Sequence, residues 1–164
     1  QDGARAAGGN QARIAAAGQR RTEMELNPRR YVHLLRVRYG ECDGQQVVFN
    51  ARYGEYVDVA FTEYVRALGY GTDQATPLPE IQLVKQTTEW FAPSRNDELL
   101  ELTVAPIALG NSSFTVRTEF RKQGEAALRA RSETIYVHID PTVWKKAPIP
   151  ERLRHELAEG PAHA

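Results

Sequence analysis

One acidic residue, Asp43, stands where the chain could perform chemistry. It lies in residues 40–50, which connect a strand-like run to a helix-like run. This segment delivers a carboxylate and then a predicted helix N-terminus, whose first N–H groups have no partner within the helix. A carboxylate can act as a base or a nucleophile, and free N–H groups can bind an oxyanion. Acyl transfer requires both parts, because negative charge builds on a carbonyl oxygen while its carbon is attacked.

Changes in hydrophobic periodicity define the elements around this segment. Residues 31–39 alternate with a period of two, which predicts a first strand. Apolar residues then recur every three or four positions over residues 51–68, which predicts an amphipathic helix that ends at Gly69. Four more strand-like runs follow, at residues 81–91, 99–104, 114–120 and 126–139. Short turns join them and favour antiparallel pairing.

The resulting order is β-α-β-β-β-β, with a short helix predicted at residues 150–158. One long amphipathic helix must be covered by the strands, so the predicted class is α+β, with an antiparallel sheet wrapped around one helix. At 164 residues the chain predicts one main domain, residues 28–145. Residues 1–27 are interpreted as a flexible or interface-docked arm, and residues 146–164 as a short helix and tail.

Composition limits the classes of partner. The chain has 21 basic and 21 acidic residues, so it lacks the basic excess expected for nucleic-acid or membrane binding. The single cysteine, Cys42, excludes an internal disulfide and a multi-cysteine metal site, and fits a reducing, cytoplasmic compartment. No apolar run approaches the roughly 18 residues of a membrane span.

Several segments resemble a known family. They are the Tyr39-x-x-x-Asp43 pair, residues 47–53 (VVFNARY), residues 61–69 (FTEYVRALG) and residues 91–99 (FAPSRNDEL). In order and spacing they resemble the hotdog-fold acyl-CoA thioesterases of the 4-hydroxybenzoyl-CoA thioesterase and YbgC-like group. The resemblance runs from about residue 31 to residue 139. It implies a hotdog fold, a coenzyme A thioester as substrate, no metal or other cofactor, and a homodimer or homotetramer with active sites near the subunit boundary.

The resemblance also implies roles for individual residues. Asp43 would be the nucleophile or the general base, and a backbone N–H near Asn50 would polarise the thioester carbonyl. Many YbgC-like members have histidine where this chain has Asn50, which leaves Asp43 as the only obvious acid or base in the loop. From local sequence alone, Asp43-Gly44 is also a common turn dipeptide, and Asn50 is a good helix N-cap.

Further candidates surround these two residues. Tyr39 could hydrogen-bond the Asp43 carboxylate or line the acyl pocket, or simply pack at the end of its strand. Val48, Phe49 and Tyr53 are candidates to contact the acyl group, with a place in the core as the alternative. Arginine and lysine suit coenzyme A phosphates. The candidates for that role are Arg95, Lys85, Arg121, Lys122, Arg129 and Arg131.

Two other functional classes stay open at this point. A hydratase or dehydratase would use a carboxylate with a histidine, but His33 precedes the loop and the next histidine is His138. A non-catalytic acyl-CoA-binding module is the second alternative, because Asn50 replaces the histidine common in the family. A panel of acyl-CoAs separates the three classes, since thiol release, binding without release and hydration of an enoyl group are distinct readouts.

Overall fold

The computed structural model of the chain describes residues 24–162. Most of the predicted arm, residues 1–27, lies outside the described residues. The elements are β1 (Met24–Glu25), β2 (Tyr31–Arg36), α1 (Arg52–Ala67), β3 (Ile81–Trp90), β4 (Leu99–Leu109), β5 (Ser113–Lys122), β6 (Leu128–Asp140), β7 (Lys145–Lys146) and α2 (Glu151–Glu159). A single 3₁₀ turn, Tyr39–Glu41, follows β2.

The strands form one antiparallel sheet in the order β1-β4-β5-β6-β3. Strand β2 also pairs with β4, and β7 pairs with the end of β6. Within the described residues β3 pairs only with β6, so its other edge is open. Helix α1 packs against the sheet, which confirms the predicted α+β class.

The amphipathic pattern of α1 explains why it packs there. One face of the helix is buried, and the other carries the Arg52–Glu55 and Glu63–Arg66 ion pairs. Tyr53 packs edge-on against Phe120, with ring centroids 5.3 Å apart, and Phe61 stacks on Tyr136 at 4.3 Å. Burying a large apolar side chain stabilises a fold by roughly 1.5–3 kcal/mol, so this face holds helix and sheet together.

Some boundaries differ from the predicted ones. The first strand ends at Arg36 rather than residue 39, because the chain then enters the 3₁₀ turn Tyr39–Glu41. Strand β4 extends five residues past residue 104, where it continues to pair with β5. The two-residue strands β1 and β7 were not predicted, since two residues show no periodicity.

Helix α2 belongs to the same core as the sheet. Leu153 and Leu157 are buried among the core residues, so the helix predicted within residues 146–164 packs on the predicted 28–145 domain. Gly160, at φ 75°, packs closely against residue 29. An added Cβ there would lie 2.3 Å from the Arg29 carbonyl oxygen, so this position requires glycine. No helix between residues 24 and 162 has the length and apolar character to cross a membrane.

Candidate active site

Asp43 begins a turn, as its Asp-Gly dipeptide predicts. The Gln46 N–H donates to the Asp43 carbonyl at 2.9 Å, and the Gln45 N–H donates to Asp43 Oδ1 at 2.8 Å. Gln46 takes a left-handed conformation at φ 61° to close the turn. The Asp43 side chain is half-buried, and its Oδ2 accepts no hydrogen bond from the described residues. One carboxylate oxygen thus fixes the turn, and the other is left for chemistry.

Backbone pairing holds this loop in a fixed place. Cys42 pairs with Val48 across a short antiparallel bridge, so the chain returns directly after the turn. The Phe49 N–H donates to the Glu41 carbonyl at 2.9 Å, and the Val48 N–H donates to the Ser94 carbonyl at 2.8 Å. The return segment, residues 47–49, therefore lies between the Asp43 side of the loop and the loop that follows β3.

The return segment leads directly into α1. The Arg52 N–H bonds to the Phe49 carbonyl at 2.9 Å, and the Tyr53 N–H bonds to the Asn50 carbonyl at 3.3 Å. The N–H groups of Asn50 and Ala51 have no acceptor among the described residues. The positive end of the α1 dipole lies at the same place. The start of α1 is therefore suited to binding an oxyanion.

The predicted N-cap role of Asn50 is wrong. Ala51 is the residue that precedes the helix, and its conformation is already helical, so the turn that starts α1 closes through backbone groups. The Asn50 side chain is exposed and makes no hydrogen bond to the described residues. It remains available for a ligand.

Glu41 was not among the predicted site residues. Its carboxylate accepts hydrogen bonds from the Tyr56 hydroxyl at 2.6 Å and the Arg38 N–H at 2.8 Å, and it lies 3.6 Å from the Arg38 guanidinium. Burial, and then the hydrogen bond to Glu41, raise the pKa of the buried Tyr56. Asp43 is thus not the only carboxylate in the loop, and Glu41 joins that loop to α1. The sequence does place Tyr56 on the buried face of the helix. Its partner Glu41 is 15 residues away along the chain, so residue spacing does not indicate the contact.

Tyr39 makes no side-chain hydrogen bond to Asp43 in the described part of the chain. Its side chain is 75% exposed and lines an open groove of about 640 Å³ between β2 and α1, together with His33 and Glu41. No hydrogen bond joins its hydroxyl to the Asp43 carboxylate. His138, on β6, has its Nδ1 3.3 Å from the Ala147 carbonyl oxygen. Neither His33 nor His138 therefore pairs with Asp43.

The remaining candidates separate into core and surface. Val48 and Tyr53 are buried in the core beside the loop, and their contact with substrate stays a prediction. Phe49 is about half exposed next to the start of α1. Arg95 pairs with Val47 through the backbone, and its exposed guanidinium has no acidic partner among the described residues. By contrast, acidic partners already hold four of the other basic candidates, Arg121, Lys122, Arg129 and Arg131.

This fold and loop belong to a known class. The family model of the thioesterase-like superfamily matches residues 37–157, which is most of the chain. The chain is therefore a member of that superfamily, with the hotdog fold, and is a thioester hydrolase. Between residues 24 and 162 no three His, Cys, Asp or Glu side chains are grouped to hold a metal ion.

Individual relatives agree with this assignment. The chain is 28% identical over 127 residues to the acyl-CoA thioester hydrolase YbgC of Escherichia coli O6:H1, covering 76% of this chain and 93% of that protein. Its fold is similar to Slr0204, a 1,4-dihydroxy-2-naphthoyl-CoA thioesterase from Synechocystis, with a TM-score of 0.70, 20% identity and coverage of 79% and 96%. It is also similar to the BH1999 gentisyl-coenzyme A thioesterase, with a TM-score of 0.67, 25% identity and coverage of 78% and 100%.

Proposed function

We propose that this chain hydrolyses an acyl-CoA thioester, aliphatic or aroyl, to a free acid and coenzyme A, with Asp43 as nucleophile or general base. One observation supports the proposal most directly: a half-buried carboxylate lies in the same loop as two N–H groups, those of Asn50 and Ala51, that have no acceptor among the described residues. Relatives named as acyl-CoA and aroyl-CoA thioesterases support the substrate class.

Two routes use the same groups. In the first, Asp43 removes a proton from water as the water oxygen attacks the thioester carbon, and the C–S bond then breaks as the proton passes to the thiolate. In the second, Asp43 attacks the carbon itself and expels the thiolate, and water then hydrolyses the mixed anhydride. In both routes the N–H groups at the start of α1 stabilise the negative carbonyl oxygen.

Coenzyme A phosphates have a candidate partner in Arg95. Its guanidinium is exposed and unpaired among the described residues, while its backbone touches the Asp43 loop at Val47. Arginine can bind phosphate through two parallel N–H bonds. The thiol end of coenzyme A would then approach the start of α1 while its phosphates stay on the surface near Arg95.

The test is Asp43→Asn. Loss of a positioned base typically costs about 10²–10⁴-fold in rate, so kcat for an acyl-CoA panel, followed with a thiol reagent, should fall by at least that much. Asparagine keeps the side-chain oxygen that accepts the Gln45 N–H, so the turn should persist. Asp73→Asn is the matched control, because Asp73 makes the same kind of turn at a distant site. Near-normal turnover by a folded Asp43→Asn protein would remove Asp43 from the chemistry.

Hydrolysis in ¹⁸O-water separates the two routes. Under single-turnover conditions the general-base route places the label in the released acid. The anhydride route places it in the Asp43 carboxylate when water attacks the aspartyl carbonyl carbon. Mass spectrometry of the peptide that contains Asp43 reads the difference.

We also propose that the chain works as a homodimer or homotetramer, with the active site near the subunit boundary. The open edge of β3 supports this, because Leu83, Trp90 and Phe91 on or beside that strand are each about half exposed. Open strand edges pair readily with another chain. Sedimentation velocity should give two or four times the chain mass of 18.4 kDa. A single-chain mass at micromolar concentration would contradict the proposal.

A further inference from the structure

The turn between β6 and β7 presents two large apolar side chains to solvent. The turn comprises residues 141–144, and the pairing of β6 with β7 closes it into a hairpin. At its tip Val143 is 56% exposed and Trp144 is 55% exposed. Apolar area left in water is unfavourable, and adjacent exposed apolar side chains indicate a surface that contacts another body.

Hydrogen bonds hold this hairpin in one shape. Asp140 Oδ1 accepts hydrogen bonds from the Thr142 N–H at 2.9 Å and from the Thr142 hydroxyl at 2.6 Å. The Ala147 N–H donates to the His138 carbonyl at 2.9 Å and closes the base of the hairpin. The tip is therefore pre-organised, so little ordering entropy is lost when it binds.

Trp144 has a backbone conformation that its side chain disfavours. Its φ is 49°, in the left-handed region, where the Cβ crowds the following carbonyl oxygen. Glycine or asparagine would take this conformation with less strain. Strained positions that keep a bulky residue concentrate at functional sites. The position of the indole at the tip therefore indicates that the indole itself is used.

Two lysines follow the tip directly. Lys145 and Lys146 are exposed, and no ion pair joins either of them to an acidic side chain between residues 24 and 162. Asp140 lies opposite Lys145 in the strand register, but its Oδ1 is bonded to Thr142. Successive side chains of a strand point to opposite faces, so the two ammonium groups flank the tip on both sides.

The size of the tip decides between a protein surface and a lipid surface. The exposed parts of Val143 and Trp144 amount to roughly 200 Å². A specific protein–protein interface covers about 800 Å² on each partner, so this tip is too small to hold a protein by itself. A bilayer surrounds an inserted side chain on all sides. Tryptophan favours the membrane–water interface, and lysines beside it attract anionic headgroups.

We propose that the β6–β7 hairpin docks the protein on an anionic lipid bilayer. Val143 and Trp144 enter the headgroup region, and Lys145 and Lys146 contact lipid phosphates. The balanced charge of the whole chain does not oppose this contact, because attraction to the membrane surface falls off within a Debye length and acts on the hairpin. Docking requires no turnover, so it is tested separately from the proposed hydrolysis.

Trp144→Asn separates membrane binding from folding. The assay is co-sedimentation of the full chain with vesicles of phosphatidylcholine and phosphatidylglycerol. The partition coefficient should fall about tenfold or more, because roughly 100 Å² of exposed indole no longer enters the lipid. Asparagine tolerates the left-handed conformation, so urea unfolding should show a variant at least as stable as the unmodified chain. Leu34→Asn is the matched control: Leu34 is 49% exposed on β2, and its variant should bind vesicles like the unmodified chain.

A double variant, Lys145→Gln with Lys146→Gln, tests the charge. It should bind vesicles that contain phosphatidylglycerol about tenfold more weakly than the unmodified chain does. It should bind vesicles of phosphatidylcholine alone as the unmodified chain does, since that lipid has no net charge. Added salt should weaken the binding of the unmodified chain to the anionic vesicles in the same way.

Fluorescence tests whether the indole itself meets the lipid. The chain has two tryptophans, so Trp90→Phe leaves Trp144 as the reporter and keeps an aromatic ring against Tyr53. Its emission should shift to shorter wavelength on vesicles, and brominated lipid should quench it. No vesicle binding by the unmodified chain, or unchanged binding in both Trp144→Asn and the double lysine variant, would overturn the proposal. Emission that is already shifted without vesicles, and that dilution reverses, would assign the tip to a contact between two copies and overturn it as well.

Discussion

At the scale of single residues, the hydrogen bond between Tyr56 and Glu41 connects the Asp43 loop to α1. A hydrogen bond to a charged group is worth about 1.5–3 kcal/mol, more than a neutral one. The bond is 2.6 Å long, and the Tyr56 side chain is buried. It therefore fixes both the fold and the position of Asp43, two residues after Glu41.

Tyr56→Phe tests that connection. We expect a fall of about 1.5–3 kcal/mol in the free energy of unfolding, measured with urea, because the Glu41 carboxylate loses its hydroxyl donor. We also expect kcat to fall about tenfold or more, since small misplacements of a reacting group are costly. Tyr64→Phe removes a buried hydroxyl that has no partner in residues 24–162, so it should change neither quantity by much. Equal effects in the two variants would mean that Glu41 does not position the loop.

Residue spacing alone explains which site residues could be predicted. Asp43 and the N–H of Asn50 are seven positions apart on one connection, so a change of periodicity from two to 3.6 was enough to place both. Glu41 and Tyr56 meet only after the loop folds back on α1. Gln86 and Thr134 lie opposite each other only because β3 and β6 pair in one register, and register is not visible in either strand by itself.

At the scale of elements, α2 is the part whose position the sequence left open. Its pattern predicted a short helix, but nothing local indicated what it covers. In the structure Leu153, Leu157 and the preceding Ile149 join the core beneath the end of α1 and the sheet. Arg152 also lies over the Tyr70 ring, 4.8 Å from its centroid, just past the end of α1. The helix therefore covers the core rather than extending from it.

Leu157→Ala tests whether α2 is integral to the domain. The Leu157 side chain is fully buried, and truncation of a buried leucine typically costs about 2–5 kcal/mol through lost burial and a new cavity. Urea unfolding should remain a single transition with its midpoint lowered accordingly. Leu34→Ala, at a leucine about half exposed on β2, should cost far less. A near-neutral Leu157→Ala would show that α2 contributes little to the stability of the core.

At the scale of the whole molecule, the predicted order of elements determined the fold because each long element had its own periodicity. An antiparallel sheet wrapped around one helix satisfies a long amphipathic helix and four strands with short joins. The sequence could not predict how the sheet curves to leave one cavity on each flank of α1. Those spaces depend on which side chains meet across the sheet, such as Phe61 on Tyr136.

The buried tyrosines give the whole molecule a characteristic response to alkaline pH. Burial is the first cause that raises the pKa values of Tyr53, Tyr56, Tyr64 and Tyr136 above the usual 10.0. Above pH 10 the unfolded chain loses these protons first, so the folded state binds more protons than the unfolded state. Stability is therefore fully present below pH 10 and is lost as the pH rises toward the folded pKa values.

Each such tyrosine should lower the free energy of unfolding by about 1.4 kcal/mol per pH unit once the pH exceeds 10. The three with the largest shifts, Tyr56, Tyr64 and Tyr136, together should remove roughly 4 kcal/mol by pH 11, a large part of the 5–15 kcal/mol typical of a domain. Urea titrations at pH 9, 10 and 11 measure the loss. Lysines also titrate in this range, so Tyr64→Phe isolates one tyrosine: its loss between pH 10 and 11 should be smaller by about 1 kcal/mol. Parallel curves for the two proteins would show that Tyr64 ionises as readily folded as unfolded.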